Sequence, residues 1–448
     1  MKKRTRGEFC LKMASQTIGW FTATAIVVAN MIGVGIFTSL GFQLISTQNS
    51  WSILILWSLG ALMALCGALS YAELGSHWLR SGGEYHFLSK AFHPILGYLS
   101  GWVSLTIGFS APVALAAMAL GAYVGPYLSI SGLSLAFGTV LFISFFHSLS
   151  IKKSSILQNI TTTLKVVLIA IFIYYGLVRT PDASAVVWGQ SWKEELLLPA
   201  FAVSFVYVSF SYSGWNAAAY IVDEIHDARR TLPKALLLGT AVVSLLYLLL
   251  NFVFLRQSPL EALQGQLEIG QITAVSLFGE TGGELISFAI ALMLLSSISA
   301  MVWAGPRVTQ VMAEDHLLWR WFSKKTKKAI PVRAIWLQTL MTLVLLLTGT
   351  FEQVLIYSGF ILQLFAALAV AGVFVVRREK ESTTYRGAFK SPIFPIPQLI
   401  FLVLSGWILI YLLLAQPLET GLGLLNLLLG FIVYKIDMRY ARKQKTNG

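Results

Sequence analysis

Charged residues are scarce in this chain, at 12% of 448 residues, against roughly 25% in ordinary soluble domains. Hydrophobic residues make up 56%, so the chain has too little polar surface to cover a water-soluble particle. This composition excludes a soluble globular protein and leaves no room for a separate soluble domain. Lipid is the expected solvent.

Cysteine is scarce as well. Cys10 lies in the N-terminal tail and Cys66 in an apolar run, which gives no basis for a disulfide framework. The sequence has no HExxH motif and no acidic residue in the middle of an apolar run, whereas a membrane-embedded enzyme needs such groups. We therefore predict no enzymatic activity, no metal and no cofactor.

The chain is rich in apolar runs of about 20 residues, long enough to cross a bilayer as helices. Polar residues, Gly and Pro divide them into twelve predicted spans. An all-α polytopic membrane protein is the expected fold class. Span 3 is long enough to be tilted, and 260–278 is expected to be an interfacial helix. The spans cover about 17–46, 51–76, 86–123, 131–150, 155–179, 199–225, 232–256, 283–313, 333–350, 352–377, 394–415 and 417–436.

The net charge of +13 follows a topological pattern. If the N-terminus is cytoplasmic, 29 of the 33 Lys and Arg residues lie in the tails or on the inner side, as the positive-inside rule requires. An error of one span would scramble this alternation. We predict a multi-pass protein of the cell membrane with both termini cytoplasmic, and the basic excess requires no nucleic-acid partner.

Span 1 contains two glycines two residues apart, Gly33 and Gly35, on either side of Val34. Such a pair in mid-membrane favours an unwound segment over a continuous helix. The alternative is a close-packing surface, because glycine is common where membrane helices touch.

Span 6 carries a second candidate break, where Gly214 lies among Ser211, Ser213 and Asn216. Gly33 and Gly214 are 181 residues apart, a distance of five spans, so the second break lies in a span of opposite orientation. Broken helices in this relation are typical of transporters built from an inverted repeat.

Two broken helices at the midplane offer opposite partial charges to a zwitterion. We expect the amides near Gly35 and Ile36 to bind an α-carboxylate. We expect the carbonyls near Met31 and Ile32, and near Phe210 and Ser211, to bind an α-ammonium.

Lys165 lies near the centre of span 5, too far from either end for its side chain to reach an interface easily. A lysine there costs about 2.5 to 3.5 kcal/mol, which usually marks function, although a structural ion pair is the alternative. With no acid at that depth, Ser296 and Ser299 of span 8 are the expected partners. Lys165 would then act as a fixed cation or as a proton carrier.

Four stretches of the chain resemble the amino acid, polyamine and organocation transporter superfamily, particularly its L-type amino-acid transporter branch and bacterial relatives. The resemblance runs from the N-terminal tail into span 10. The stretches are LKMASQTIGWFTATAIVVANMIGVGIF, ALSYAELGSHWLRSGGEYHFLSKAF, FSYSGWNAAAYIVDEIHDARRTLPKAL and GPRVTQVMAEDHLL.

This resemblance implies a five-plus-five inverted-repeat fold with broken helices 1 and 6, two extra helices and alternating access. It implies that Gly33 and Gly35 form the unwound motif, that Phe210 is an aromatic gate and that Asn216 lies near the substrate. Lys165 matches a lysine that replaces a sodium ion in sodium-independent members. One departure is Val34, where many relatives have Ser, so recognition of the carboxylate would rest on backbone amides alone.

We predict a sodium-independent secondary transporter of amino acids that works by exchange or with protons. Because no carboxylate is expected in the site, neutral L-amino acids are preferred. The alternatives are cationic amino acids or polyamines, or a membrane sensor on a transporter fold. No obligate protein partner is predicted. The expected units are a tail (1–16), two five-helix repeats (17–180 and 196–378), two additional helices (393–436) and a second tail (437–448).

Overall fold

The computed structural model describes residues 18–149, 154–181, 188–189, 191–326, 330–378 and 387–446. Within these residues, nine helices are long and apolar enough to cross a membrane. Two shorter apolar helices and one interrupted segment at 199–224 complete twelve crossing segments among the described residues. The predicted all-α polytopic fold is confirmed.

Spans 1 and 6 are each built from two pieces. Span 1 consists of Trp20–Met31 and Gly35–Gln43. Span 6 consists of Pro199–Tyr212 and a 3-10 helix, Ala217–Glu224. The other spans are Ser50–His77, Pro94–Leu128, Gly132–Leu149, Ser154–Val178, Ala228–Gln257, Ile269–Asp315, Val332–Thr348, Phe351–Arg378, Ile396–Ala415 and Pro417–Thr446.

The predicted start of span 3 is wrong. A separate loop helix, Glu84–Ala91, precedes the span, which begins at Pro94. Proline has no N–H for a helical hydrogen bond and is therefore tolerated in the first turn. The His93 ring accepts a hydrogen bond from the Ile95 amide at 3.2 Å and caps the new helix.

Two other boundaries also differ from the prediction. The segment expected to be one interfacial helix is a single turn, Leu260–Leu263, and the first part of the helix Ile269–Asp315, which non-helical backbone at Gly279 (φ 74°, ψ −177°) separates from the part that forms span 8. The predicted C-terminal tail continues span 12 as helix to Thr446, because no Gly or Pro lies between Gly430 and Thr446 to end it. The predicted N-terminal tail, 1–16, lies outside the described residues.

The broken span 1 lies at the centre of the bundle. Its most apolar window is 94% buried inside the protein, whereas that of span 12 is 22% buried. Lipid tails are as apolar as the side chains, so tight packing around span 1 depends on small residues that let backbones approach. This packing brings the two broken helices together.

Candidate functional site

The break in span 1 is real. The first half ends at Met31, residues 32–34 are not helical, and the second half begins at Gly35. Among the described residues, no side chain caps this second helix. Its first amide N–H groups therefore have no side-chain acceptor, as expected of a helix end that binds a carboxylate.

The break in span 6 depends on Gly214. Its φ of 98° lies in a region that L side chains rarely adopt. A Cβ added there would lie 2.8 Å from the carbonyl carbon and oxygen of Asn30. The two breaks therefore touch directly, through the backbone of span 1.

A second contact joins the breaks on the other side. A Cβ on Gly35 would lie 2.6 Å from Ser211 Cα and 2.5 Å from Ser211 Oγ. Ser211 also shares a 2.8 Å hydrogen bond with Ser39 of the second half of span 1. The unwound segment therefore packs directly against span 6 in this conformation.

Lys165 is 1% exposed and bonds to the break in span 1. Its Nζ donates to Ile32 O at 3.0 Å, to Ala29 O at 3.4 Å and to Ser297 Oγ at 2.7 Å. Ser297 Oγ in turn donates to Ile32 O at 2.8 Å. One buried ammonium thus connects spans 1, 5 and 8.

The serine partners predicted for Lys165 are wrong. Ser296 donates to Thr161 at 2.9 Å, and Ser299 shares a 2.8 Å hydrogen bond with His147. The residue between them, Ser297, faces Lys165. Successive helical residues are rotated by about 100°, and the sequence does not fix which face of span 8 meets span 5.

The carbonyls predicted to bind an α-ammonium already have protein donors. Tyr247 donates its hydroxyl to Met31 O at 2.5 Å, and Lys165 donates to Ile32 O. Tyr247 also lies 3.3 Å from Ser211 O, and the Phe210 carbonyl accepts the Ser213 amide at 2.9 Å. A buried ammonium and a buried phenol need acceptors, and these carbonyls supply them.

A cavity lies beside the break in span 6 and measures about 1030 Å³, a volume that includes space open to solvent. Of the predicted site residues, Phe210, Ser213, Gly214 and Asn216 line it. Within the described chain, Ser211 and the predicted residues of span 1 do not, namely Met31, Ile32, Gly33, Val34, Gly35 and Ile36. Asn30, one residue earlier, does line it.

Glu84, which the sequence reasoning missed, also lines the cavity. Its side chain accepts hydrogen bonds from the Tyr71 hydroxyl at 2.5 Å and from Asn216 Nδ2 at 3.1 Å. The expectation that no carboxylate lies in the site is wrong. Hydropathy places Glu84 in a loop. The local signal that could have singled it out is Gly82-Gly83, two glycines with φ values of 113° and 53° directly before the loop helix that begins at Glu84.

Ser297→Ala should lower transport by about two- to tenfold, since one net hydrogen bond is worth about 0.5 to 1.5 kcal/mol. The hydroxyl both accepts from Lys165 and donates to the break. Uptake into proteoliposomes measures the effect. Ser296→Ala and Ser299→Ala are matched controls on the same helix, and a larger loss in either one than in Ser297→Ala would contradict the assignment.

The fold and site together define a helical membrane transporter with two broken helices. The chain belongs to the amino acid permease family, whose model matches residues 18–433. It is therefore a membrane-spanning amino-acid transporter of the amino acid, polyamine and organocation superfamily and not an enzyme. The resemblance predicted from the sequence motifs is confirmed.

Three curated relatives show how far the similarity extends. The chain is 28% identical over 440 residues to the b(0,+)-type amino acid transporter 1 of Mus musculus, covering 94% of this chain and 88% of the relative. It is 28% identical over 430 residues to the serine/threonine exchanger SteT of Bacillus subtilis, covering 93% and 95%. It is 27% identical over 441 residues to the large neutral amino acids transporter small subunit 2 of Mus musculus, covering 96% and 82%.

Proposed function

We propose that the protein is a sodium-independent exchanger of neutral L-amino acids. The observation that carries this proposal is the Lys165 ammonium, held by the Ala29 and Ile32 carbonyls and the Ser297 hydroxyl. Unwound carbonyls of this kind coordinate sodium in other transporters with broken helices. A fixed positive charge at such oxygens makes a bound sodium ion unnecessary.

The substrate would lie across the two breaks and the cavity. Its carboxylate would bind the uncapped amides at Gly35 and Ile36, which do not line the cavity in this conformation and would have to be opened to it, and Phe210 would cover it. Ser213 and Asn216 supply polar contacts from the second break. In this arrangement, Val34 contributes no hydroxyl, so the backbone alone recognises the carboxylate.

The side-chain preference rests on the charge of the cavity. Its lining is largely apolar or neutral, for example Met63, Val206, Leu362 and Phe401, and Glu84 is already hydrogen-bonded to Tyr71 and Asn216. Neutral amino acids fit this lining. Glu84 is also the one observation that favours the second candidate, a transporter of cationic amino acids or polyamines, since a carboxylate can neutralise a positive side chain.

Alternating access would move two five-helix repeats, 17–180 and 196–378, against each other around the breaks. Exchange is proposed because a bacterial relative is named an exchanger.

The alternation of basic loops supports a cell-membrane location with both termini cytoplasmic. No obligate protein partner is proposed, although one relative is named as a small subunit.

Purified protein in proteoliposomes tests ion, mode and substrate together. We expect uptake of labelled leucine or alanine that needs amino acid inside the vesicle and is unchanged when sodium is replaced by choline. Uptake driven by a proton gradient into empty vesicles would show proton symport instead of exchange. Arginine competing better than leucine and alanine would establish the second candidate, and absence of counterflow with every amino acid would indicate a sensor.

A further inference from the structure

Asn216 and Glu84 form a fixed pair at the wall of the cavity. Asn216 Nδ2 donates to Glu84 Oε1 at 3.1 Å and lies 3.1 Å from the Tyr220 hydroxyl. Both residues line the cavity. The two hydrogen bonds use the amide nitrogen of Asn216, so its carbonyl oxygen, Oδ1, points away from this pair.

The charge state of Glu84 decides which end of the amide faces it. An ionised carboxylate only accepts hydrogen bonds, whereas an asparagine side chain has one donating end and one accepting end. An ionised Glu84 therefore holds the NH₂ group toward itself. A protonated Glu84 also donates, and the amide can then turn its oxygen toward the carboxyl group.

We infer that Glu84 is a positioning residue that orients the Asn216 amide, so that Oδ1 accepts the α-ammonium of the substrate. The inference rests on the proposed function, because it assumes that an amino acid occupies this cavity. It supplies the acceptor that the Met31 and Ile32 carbonyls, already bonded to Tyr247 and Lys165, do not.

Packing fixes the position of the Glu84 carboxyl group. A Cβ on Gly83 would lie 2.5 Å from the Tyr220 ring, so the start of the loop helix presses directly on the second half of span 6. Tyr71 of span 2 holds the same carboxyl oxygen from the other side, with its hydroxyl at 2.5 Å. The carboxyl group therefore has little freedom to move independently of Asn216.

The same burial makes the pair sensitive to pH. Glu84 is 4% exposed, and burial raises the pKa of its carboxyl group to about 7, while hydrogen bonds from Tyr71, Tyr220 and Asn216 oppose the shift. Among the described residues, the titratable groups that act on Glu84 are these two tyrosines. Acidification from pH 8 to pH 6 therefore converts most of the carboxylate to the neutral acid.

The expected effect is on substrate affinity. If only the ionised form presents Oδ1 to the substrate, the competent fraction falls from about 0.9 at pH 8 to about 0.1 at pH 6, and KM rises about tenfold. The maximal rate changes much less. KM and Vmax are measured by exchange in proteoliposomes with equal pH on both sides, using whichever of leucine and alanine the wild type carries faster.

Four variants separate positioning from a merely structural role. In Glu84→Gln, KM should be raised at pH 8 and no longer vary from pH 6 to pH 8, because an amide does not titrate. Glu84→Asp should retain the pH dependence. Asn216→Ala should lose it even though Glu84 is intact, and Glu84→Gln with Asn216→Ala should match Asn216→Ala alone.

The inference is overturned if wild-type KM is constant from pH 6 to pH 8, if Glu84→Gln keeps the wild-type profile, or if the two substitutions are additive. A pH effect that persists in Glu84→Gln belongs to another group, such as Lys165. If Glu84→Gln does not fold, the pH profiles of KM for the wild type and Asn216→Ala still decide whether the pH dependence requires Asn216. A wild type that exchanges no amino acid under any condition would instead refute the proposed function.

Discussion

Lys165→Ala is expected to lower amino-acid exchange by more than about tenfold. The ammonium makes the contacts that hold the span 1 break to spans 5 and 8. A hydrogen bond to a charged group is worth about 1.5 to 3 kcal/mol, and about 1.4 kcal/mol corresponds to tenfold. Proteoliposome exchange at saturating internal substrate measures the loss.

Thermal stability distinguishes a transport role from a structural one. A lysine at a helix centre costs about 2.5 to 3.5 kcal/mol, so its removal should leave the Tm in detergent unchanged or higher. The matched control is Lys193→Ala, which removes an exposed lysine outside the spans. Unchanged exchange in Lys165→Ala, or lost exchange together with a clearly lower Tm, would contradict a role in transport.

Gly35→Ala is expected to abolish exchange, whereas Gly33→Ala is expected to change it little. A Cβ on Gly35 would lie 2.6 Å from Ser211 Cα, a backbone atom that cannot turn away. A Cβ on Gly33 meets its nearest atom, Met31 O, at 3.8 Å, which is ordinary contact. Overpacking of this kind costs about 1 to 3 kcal/mol and separates the two breaks.

The two alanine variants are each other's control, because they add the same group two residues apart. Exchange rate, KM and Tm are compared for both. The double variant Gly35→Ala with Ser211→Gly should still exchange amino acids poorly, because removing the Ser211 side chain leaves the Cα at that position in place. Equal effects at Gly33 and Gly35 would mean that helix unwinding, and not the contact with span 6, sets the requirement for glycine.

The fold could be predicted from sequence to a large extent. Apolar runs with polar punctuation gave the twelve spans, because bilayer thickness and backbone hydrogen bonding permit few other structures. The breaks at Gly33-Val34-Gly35 and around Gly214 were also readable, since glycine and hydroxyl side chains in mid-membrane disfavour a continuous helix. Errors occurred where a segment is buried without being a span, as at Glu84–Ala91.

The candidate site could be predicted only in part. Of the predicted residues, Phe210, Ser213, Gly214 and Asn216 line the cavity. Glu84 was missed, and Ser296 and Ser299 were predicted in place of Ser297. Periodicity fixes which residues share a face of one helix. It does not fix which face meets another helix, or whether a loop folds back into the bundle.

Sequence alone therefore determined the membrane-spanning helical fold, the position of both breaks and the depth of Lys165, because each follows from local composition and from the thickness of the bilayer. The tertiary structure decided which groups satisfy the buried polar atoms. Ser297 bonds to Lys165, Tyr247 and Lys165 occupy the span 1 carbonyls, and Glu84 faces Asn216. These pairings depend on rotation and approach of helices far apart in the chain, where a few ångströms decide whether a hydrogen bond forms.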